Sequence, residues 1–446
     1  MIKKQKLYKI FFIVLIFSSI NVLGQNTTEY WGDKTTKKSE GQIIDNKKQG
    51  YWTEWYENGK KLSYGAYKDD EKIGKWEYWY NNEQKKGEIN IENGQNTSWF
   101  PTGQIQRRGN VVNGKMEGLW QHFYSNGKTK EEINYKNGKA QGRSITWHSN
   151  GQKESEVIYI DGKKTGYTYW WYDDGKREME GRLKEDLQDS IWTYYQKNEK
   201  IGSKGNFVKG QQEGLWTYWY ETGEKWREGN FSEGKRTGVW TTYFESGQKF
   251  HEGPYLNGKE EGKWTSWYES GKIKEQGFYK DGMMEGKWIG FFESGKKRYE
   301  NNFKLNNLNG SSILWFEDGK VMRESNYLEG LRNGKWIEYF PKGNIMESGF
   351  YENHMKTGFW TYYDEKGFKI NEQEYVKGKP DGKWTTYFEL GLKSGEGYYK
   401  NGLKQKKWTY YDKSGTIIYQ AVFKDGIILK EIVKQEDKSN IPEKFK

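Results

Sequence analysis

Side chains able to do chemistry are sparse in this chain, and their spacing decides what they can do. His122, His148, His251 and His354 are too far apart in sequence to form a local metal-binding motif. Asp and Glu recur at the edges of turns, where they read as solvated surface. The repeated Asn/Asp-Gly-Lys runs suggest calcium loops but lack the density of acidic ligands that calcium needs. No Gly-x-Ser-x-Gly, phosphate loop or zinc pattern stands in a fitting context. There is no cysteine, hence no thiolate site and no disulfide, and the redox compartment stays open. What recurs instead is aromatic. One ring per repeat forms a column whose strongest members are Trp55, Trp79, Trp171, Trp219, Tyr243, Trp267, Trp315 and Tyr339. Stacking and apolar contact are the chemistry such a column offers. The column reads equally as packing of a sheet that has no second layer or as a binding stripe; the stripe is the candidate site, with no enzyme activity, no catalytic residues, no cofactor and no metal expected.

The elements that must position this stripe follow from a period. Gly214-Leu-Trp-Thr-Tyr-Trp-Tyr begins a pattern that restarts at Gly238 as Gly-Val-Trp-Thr-Thr-Tyr-Phe, 24 residues later. A fixed period of this size marks a repeat array, whose length grows by stacking rather than by adding separate cores. Repeats begin at Gly50, Gly74, Gly94, Gly118, Gly142, Gly166, Ser190, Gly214, Gly238, Gly262, Gly286, Gly310, Gly334, Gly358, Gly382 and Lys406, all 24 apart except Gly74 to Gly94, which are 20 apart. That makes sixteen repeats over residues 50–429.

Only 33% of the 446 residues are apolar, yet 18% are aromatic, so Trp, Tyr and Phe supply most of the hydrophobic surface. These residues favour pleated sheet. Each repeat carries two turn signals, such as Glu269-Ser270-Gly271-Lys272 and Lys280-Asp281-Gly282-Met283. Gly after Asn or Asp between aromatic runs signals a hairpin, because both central residues take positive φ. Two turns per repeat give two strands of ordinary length.

If Asn58-Gly59 is a two-residue turn, Tyr56 faces Lys61 and Trp52 faces Gly65. Trp52, Tyr56 and Tyr67 then share one face and Trp55 lies on the other. The same arithmetic sets Trp240 against Gly253 and Trp264 against Gly277. A glycine across from a tryptophan leaves bare backbone for the indole to cover. The repeats starting at Gly94, Gly142, Gly166 and Gly310 lack the indole, with Asn96, Ser144, Thr168 and Ser312 in its place. Gln196, Asp364 and Asp412 replace the Tyr56-type ring, and Tyr194, Tyr362 and Tyr410 restore a ring two residues earlier, on the same face. The predicted fold is all-β: an elongated single-layer twisted antiparallel sheet of stacked β-hairpins, about 150 Å long at the usual strand spacing.

At the ends, Lys3–Lys9 followed by the apolar run 10–20 and Val22-Leu23-Gly24 predict a signal peptide over residues 1–24, the alternative being an uncleaved anchor. Residues 25–49 read as a leader or N-terminal cap, and 430–446 as a charged tail. The net charge of +11 falls to +7 once the four lysines of the leader are removed (11 − 4). The remaining bases are interspersed with acids, which argues against a nucleic-acid groove and for solubility.

On the motif Gly-x-Trp-x-x-Tyr/Trp-Tyr/Phe, x-Asn/Ser-Gly-Lys, Glu-Gly-x-Tyr/Phe, x-Asn/Asp-Gly-Lys, residues 50–429 resemble the bacterial variant of the MORN repeat family. The resemblance implies a non-catalytic binder. Bacterial proteins of this kind are grouped with YwqK-like antitoxin components, and eukaryotic MORN modules are associated with phospholipid and protein contacts. The expected function is an exported, periplasmic or extracellular, protein-interaction scaffold, with self-association open. The alternatives are an envelope-binding module for anionic lipid or cell-wall glycan, and an antitoxin or immunity protein. A cytosolic antitoxin would conflict with the export signal.

Overall fold

The computed structural model describes residues 24–434, so the signal segment up to Leu23 and the tail from Gln435 lie outside the described residues. The chain divides into two compact units, Met1–Gln188 and Asp189–Lys446. Within each, the sheet is antiparallel and every strand pairs with its neighbours along the chain. Contacts between elements follow the same chain order, which makes each unit one layer thick. The one helical element among the described residues is a single 3-10 turn at Glu389–Gly391.

The hairpin of Lys47–Trp55 and Lys61–Lys68 shows how the sequence sets register. Its loop has three residues, Glu57-Asn58-Gly59, rather than the predicted two. The Tyr56 amide donates to the Lys60 carbonyl at 2.8 Å, and the Gly59 amide donates back to Tyr56 at 2.9 Å. Gly59 takes φ of 77°, which closes a type I turn through a left-handed residue. Tyr56 therefore faces Lys60, not Lys61. A bulge then skips Leu62, since Trp55 pairs with Lys61 but Glu54 with Ser63. The extra loop residue and the bulge offset one another, so Trp52 does face Gly65, Trp240 faces Gly253 and Trp264 faces Gly277.

The second turn of each repeat is the two-residue kind, except in the shortened repeat at Gly74, where residues 91–93 join the strands. Lys280 pairs with Met283 across Asp281 (φ 51°) and Gly282 (φ 81°), the geometry of a type I′ turn. Between repeats a wider irregularity lets two residues out of the ladder: Gly205 pairs with Trp216 and Asn206 with Glu213, leaving Gly214-Leu215 extra.

The glycine that faces a tryptophan within its own hairpin, as Gly253 faces Trp240, is not the one the indole covers. A Cβ built on Gly41, Gly65 or Gly109 would overlap the ring of Trp52, Trp76 or Trp120 respectively, and Gly229, Gly253 and Gly277 stand in the same relation to Trp240, Trp264 and Trp288. Each indole lies back over the preceding hairpin, eleven residues upstream. Over most of these glycines Nε1 donates to the carbonyl after the glycine, as Trp76 does to Ala66, Trp240 to Asn230 and Trp360 to Phe350, at 3.0–3.1 Å, whereas Trp52 donates to Gln49. These bonds and rings staple each repeat to the one before it, and the indoles end up almost fully buried, Trp76 and Trp360 at 0% exposure.

Between the indoles stand the rings of the second strands. From Trp192 through Phe207, Trp216, Phe231, Trp240, Tyr255, Trp264, Tyr279 and Trp288 to Phe303, successive centroids are 5.1–6.5 Å apart with ring planes at 78–88°. Edge-to-face contact suits the aromatic quadrupole. Cations close the outer side: Lys72 lies 4.0 Å from Trp76, Arg236 4.6 Å from Trp240 and Lys356 3.7 Å from Trp360.

At the ends, residues 25–44 form a hairpin of the array, Gln25–Tyr30 with Lys37–Ile44, and its Gly41 receives the indole of Trp52. The last strand, Ile427–Lys434, continues past residue 429, so pairing extends into the segment expected as tail.

Candidate functional site

Alternation along the strands puts the candidate stripe on the face opposite the buried indoles. Trp55, Trp79 and Trp171 belong to the N-terminal unit, and Trp219, Tyr243, Trp267, Trp315 and Tyr339 to the C-terminal unit. All eight are half-buried, so the stripe is not a bare aromatic platform. A lysine from the preceding hairpin covers most of them. Lys37 stands 5.7 Å from the Trp55 ring, Lys61 5.0 Å from Trp79, Lys153 5.0 Å from Trp171, Lys225 5.5 Å from Tyr243, Lys249 5.6 Å from Trp267 and Lys297 5.4 Å from Trp315. At Trp219 the corresponding position is Ile201.

All of these lysines but Lys61, which meets Tyr64 instead, also meet a glutamate three residues on. Lys225–Glu228 is 2.8 Å, Lys249–Glu252 2.6 Å and Lys297–Glu300 2.9 Å. Where the ring is tyrosine its hydroxyl joins the set: Tyr243 donates to Glu228 at 2.9 Å, Tyr339 to Glu324 at 3.1 Å and Tyr387 to Glu372 at 2.6 Å. Burial, and then the Glu228 bond, push the Tyr243 phenol up to about 12, and Tyr387 rises to about 12 for the same reasons. Burial works against ionisation of Glu228, yet the bonds from Lys225 and Tyr243 outweigh it and hold the carboxyl below its ordinary value. The result is a ribbon of ring, cation and anion on which the cations other than Lys61 are already paired.

Beside this ribbon runs a row of bare apolar side chains that the sequence reading passed over. In the N-terminal unit Tyr51, Leu119 and Tyr167 are exposed. In the C-terminal unit Leu215, Val239, Phe278, Phe350 and Phe359 are exposed, between 51% and 58%. The signal was present: Tyr51, Leu119, Tyr167, Leu215, Val239 and Phe359 occupy the x of Gly-x-Trp or its equivalent, and the bulge at that glycine turns the residue out.

The opposite face also carries more than its indoles. Tyr78, Tyr218, Tyr362 and Tyr410 pack beside the tryptophans. Where that position is small, as at Ser98 and Thr242, grooves open beside it. Nothing in the repeat motif singles out these small residues.

The histidines serve separate neighbourhoods. His148 Nε2 lies 2.8 Å from the Trp171 carbonyl, and His354 Nδ1 accepts the Arg332 amide at 2.7 Å. His122 Nδ1 is 3.4 Å from Glu131, and the His251 ring lies against Phe250, tilted by 59° with centroids 4.8 Å apart. Among the described residues no three of His, Asp and Glu converge in a way that could hold a metal.

Eight segments match the profile of the MORN repeat variant: residues 48–69, 116–137, 212–233, 236–257, 260–281, 284–305, 308–329 and 332–353. Comparison with curated proteins finds no match. Among solved structures, the chain is similar to a crystal structure of TcdB2-TccC3-TEV at 10% identity and a TM-score of 0.14, covering 92% of this chain and 26% of that one. It is similar to a Photorhabdus luminescens Tc holotoxin pore at 10% identity and a TM-score of 0.15, covering 90% and 25%. The chain thus spans about a quarter of the length of those structures, and at such TM-scores the likeness carries no argument.

Proposed function

We propose that this chain, built of MORN-variant repeats, is a non-catalytic exported scaffold that binds a protein partner along its ring-and-charge ribbon. The observation that carries this reading is the exposed row of Leu215, Val239, Phe278, Phe350 and Phe359 beside that ribbon, on a sheet face that no second layer covers among the described residues. Apolar contact area flanked by mixed charge suits a protein interface. Pairing of Lys225, Lys249 and Lys297 with Glu228, Glu252 and Glu300 leaves little unbalanced charge for nucleic acid on this face. Export rests on the leader sequence alone.

The test is affinity capture from an envelope extract with the full mature chain, repeated with Leu215→Asp and Val239→Asp together. These side chains are exposed, so the variant is expected to fold while losing the captured protein. Failure to capture any protein, or capture indifferent to both substitutions, removes the reading. Capture of the product of a neighbouring toxin gene would make the same scaffold an antitoxin or immunity protein.

A further inference from the structure

Grooves open on the indole-bearing face of both units; two of them, beside Ser98 and beside Thr242, carry an arginine at the same repeat position, while a third, beside Ser266, is lined by Glu260 and Glu275. In the N-terminal unit a groove of about 630 Å³ is lined by Tyr80, Lys86, Phe100, Arg107, His122 and Lys130 among others. In the C-terminal unit one of about 380 Å³ is lined by Tyr220, Trp226, Arg227, Arg236, Phe244 and His251 among others. Arg107 and Arg227 are 120 residues apart, five periods of 24.

Charge sets these two grooves apart from the rest of the surface. In a chain with 62 acidic residues, neither groove has an Asp or Glu in its lining. The carboxylates beside them are Glu131, 3.4 Å from His122, and Glu260, which accepts the Tyr255 hydroxyl at 3.1 Å and lines the adjoining groove. The cations are held by rings instead. Arg227 lies 4.4 Å from Tyr218 and 4.3 Å from Trp226, and its buried Nε has no hydrogen-bond partner. Arg236 lies 4.6 Å from Trp240 and donates to the Tyr255 hydroxyl at 3.2 Å. Lys86 and Lys130 stand 5.5 and 5.7 Å from Tyr80 and Tyr124. Stacking fixes a guanidinium plane and leaves its N–H edge for a planar anion.

We propose that each groove binds a carboxylate-bearing sugar of an acidic polysaccharide, with Arg227 and Arg236 in one and Arg107 with Lys86 and Lys130 in the other receiving the carboxylate. An acidic peptide fits less well. Strands inside each sheet are paired on both sides, so a peptide main chain would find no free edge. Sugar hydroxyls need only side-chain partners, and Ser98, Gln106, Ser125, Thr242 and Tyr255 supply them at the groove walls.

The histidines give a second readout. Burial, followed by Arg236, holds His251 below its ordinary value against the pull of Glu260. Burial, with Arg107 and Lys130, does the same to His122 against Glu131. A bound carboxylate favours the protonated ring, so binding strengthens as pH falls from about 7.5 to about 5.5.

The test is calorimetry of the full mature chain with a defined oligogalacturonate, in parallel with a neutral glucan oligomer, poly-glutamate and phosphatidylserine vesicles. The expected result is salt-sensitive binding of the uronate alone, weakened about tenfold or more by Arg227→Gln with Arg236→Gln, and again by Arg107→Gln. Arg227→Lys, which keeps charge but loses the planar fork, is expected to fall between. Absence of uronate binding overturns the proposal, as does unchanged affinity in variants whose circular dichroism matches the parent. Equal or tighter binding of poly-glutamate or of vesicles also overturns it. Protein capture by the opposite face is untouched by these substitutions, so the two proposals fail separately.

Discussion

The stretch from Gly205 to Trp288 and the stretch from Ile133 to Thr168 solve one packing problem in two ways. In the first, glycine meets indole four times over, at Gly205–Trp216, Gly229–Trp240, Gly253–Trp264 and Gly277–Trp288. In the second, Ile133 stands eleven residues before Ser144 and Val157 eleven before Thr168, and all four are buried. The large side chain has moved from one strand to its neighbour. Asn301 before Ser312 repeats the exchange, with a 2.6 Å hydrogen bond from the serine to the asparagine. Ser325 and Gln373 stand before Trp336 and Trp384 and mix the two solutions. At Trp336 the result is visible: its buried Nε1 has no partner, whereas the indoles over glycine reach a carbonyl. A sheet without a second layer therefore needs a large group and a bare patch in each pair, but which strand supplies which is free.

The comparison breaks most readily at the indole. Trp240→Ala removes a ring that contacts both flanking rings and the backbone beneath, and is expected to cost about 3–5 kcal/mol locally. Thr168→Ala, at the equivalent position, should cost about 1 kcal/mol, for the 3.0 Å bond to the Glu156 carbonyl. Hydrogen exchange of the two segments reads both values, since opening in a repeat array is local. Next, Gly253→Val should cost about 1–3 kcal/mol by driving a Cβ into the Trp264 ring. Lys356→Met should cost about 1 kcal/mol through loss of the cation over Trp360. Met116 already packs at that position beside Trp120, so the shape is known to fit.

The smallest effect is alkaline. Burial, with the Glu228 and Glu372 bonds, raises Tyr243 and Tyr387 to about 12, and burial raises Tyr67 to about 12. Between about pH 10 and 12 the unfolded phenols ionise first, so the folded state holds more protons and stability falls as pH rises. Below about pH 10 these tyrosines contribute no pH dependence. Thermal melts at pH 8, 10 and 11 should show loss only above about pH 10.

Strands, turns and the two faces were legible because every repeat states them again. The Trp52–Gly65 register came out right although the turn had been taken one residue too short, because the bulge at Leu62 supplied the difference. Which glycine each indole covers was misread, since only the partner within the same hairpin had been considered. The corrective signal lay in the repeats without tryptophan: Ile133 and Val157 replace glycine before Ser144 and Thr168, whereas the hairpin partner of Thr168 is still glycine, Gly181. The grooves were missed because they depend on what Ser98 and Thr242 fail to fill, and no motif announces an unfilled space. The eight stripe residues were placed on the correct strands, but the lysine over most of the rings comes from the preceding hairpin, a contact that no single repeat reveals.

A pair of double-mutant cycles tests the stacking most directly. Gly253→Val combined with Trp264→Thr rebuilds in the C-terminal unit the solution used by Val157 and Thr168. The double variant should be more stable than the sum of the single losses by about 2 kcal/mol or more. Gly253→Val with Trp240→Thr, its hairpin partner, should show a much smaller coupling. If the larger coupling falls on Trp240, or if both cycles are additive, the indoles do not lie back over the preceding hairpin and the account of the fold is wrong.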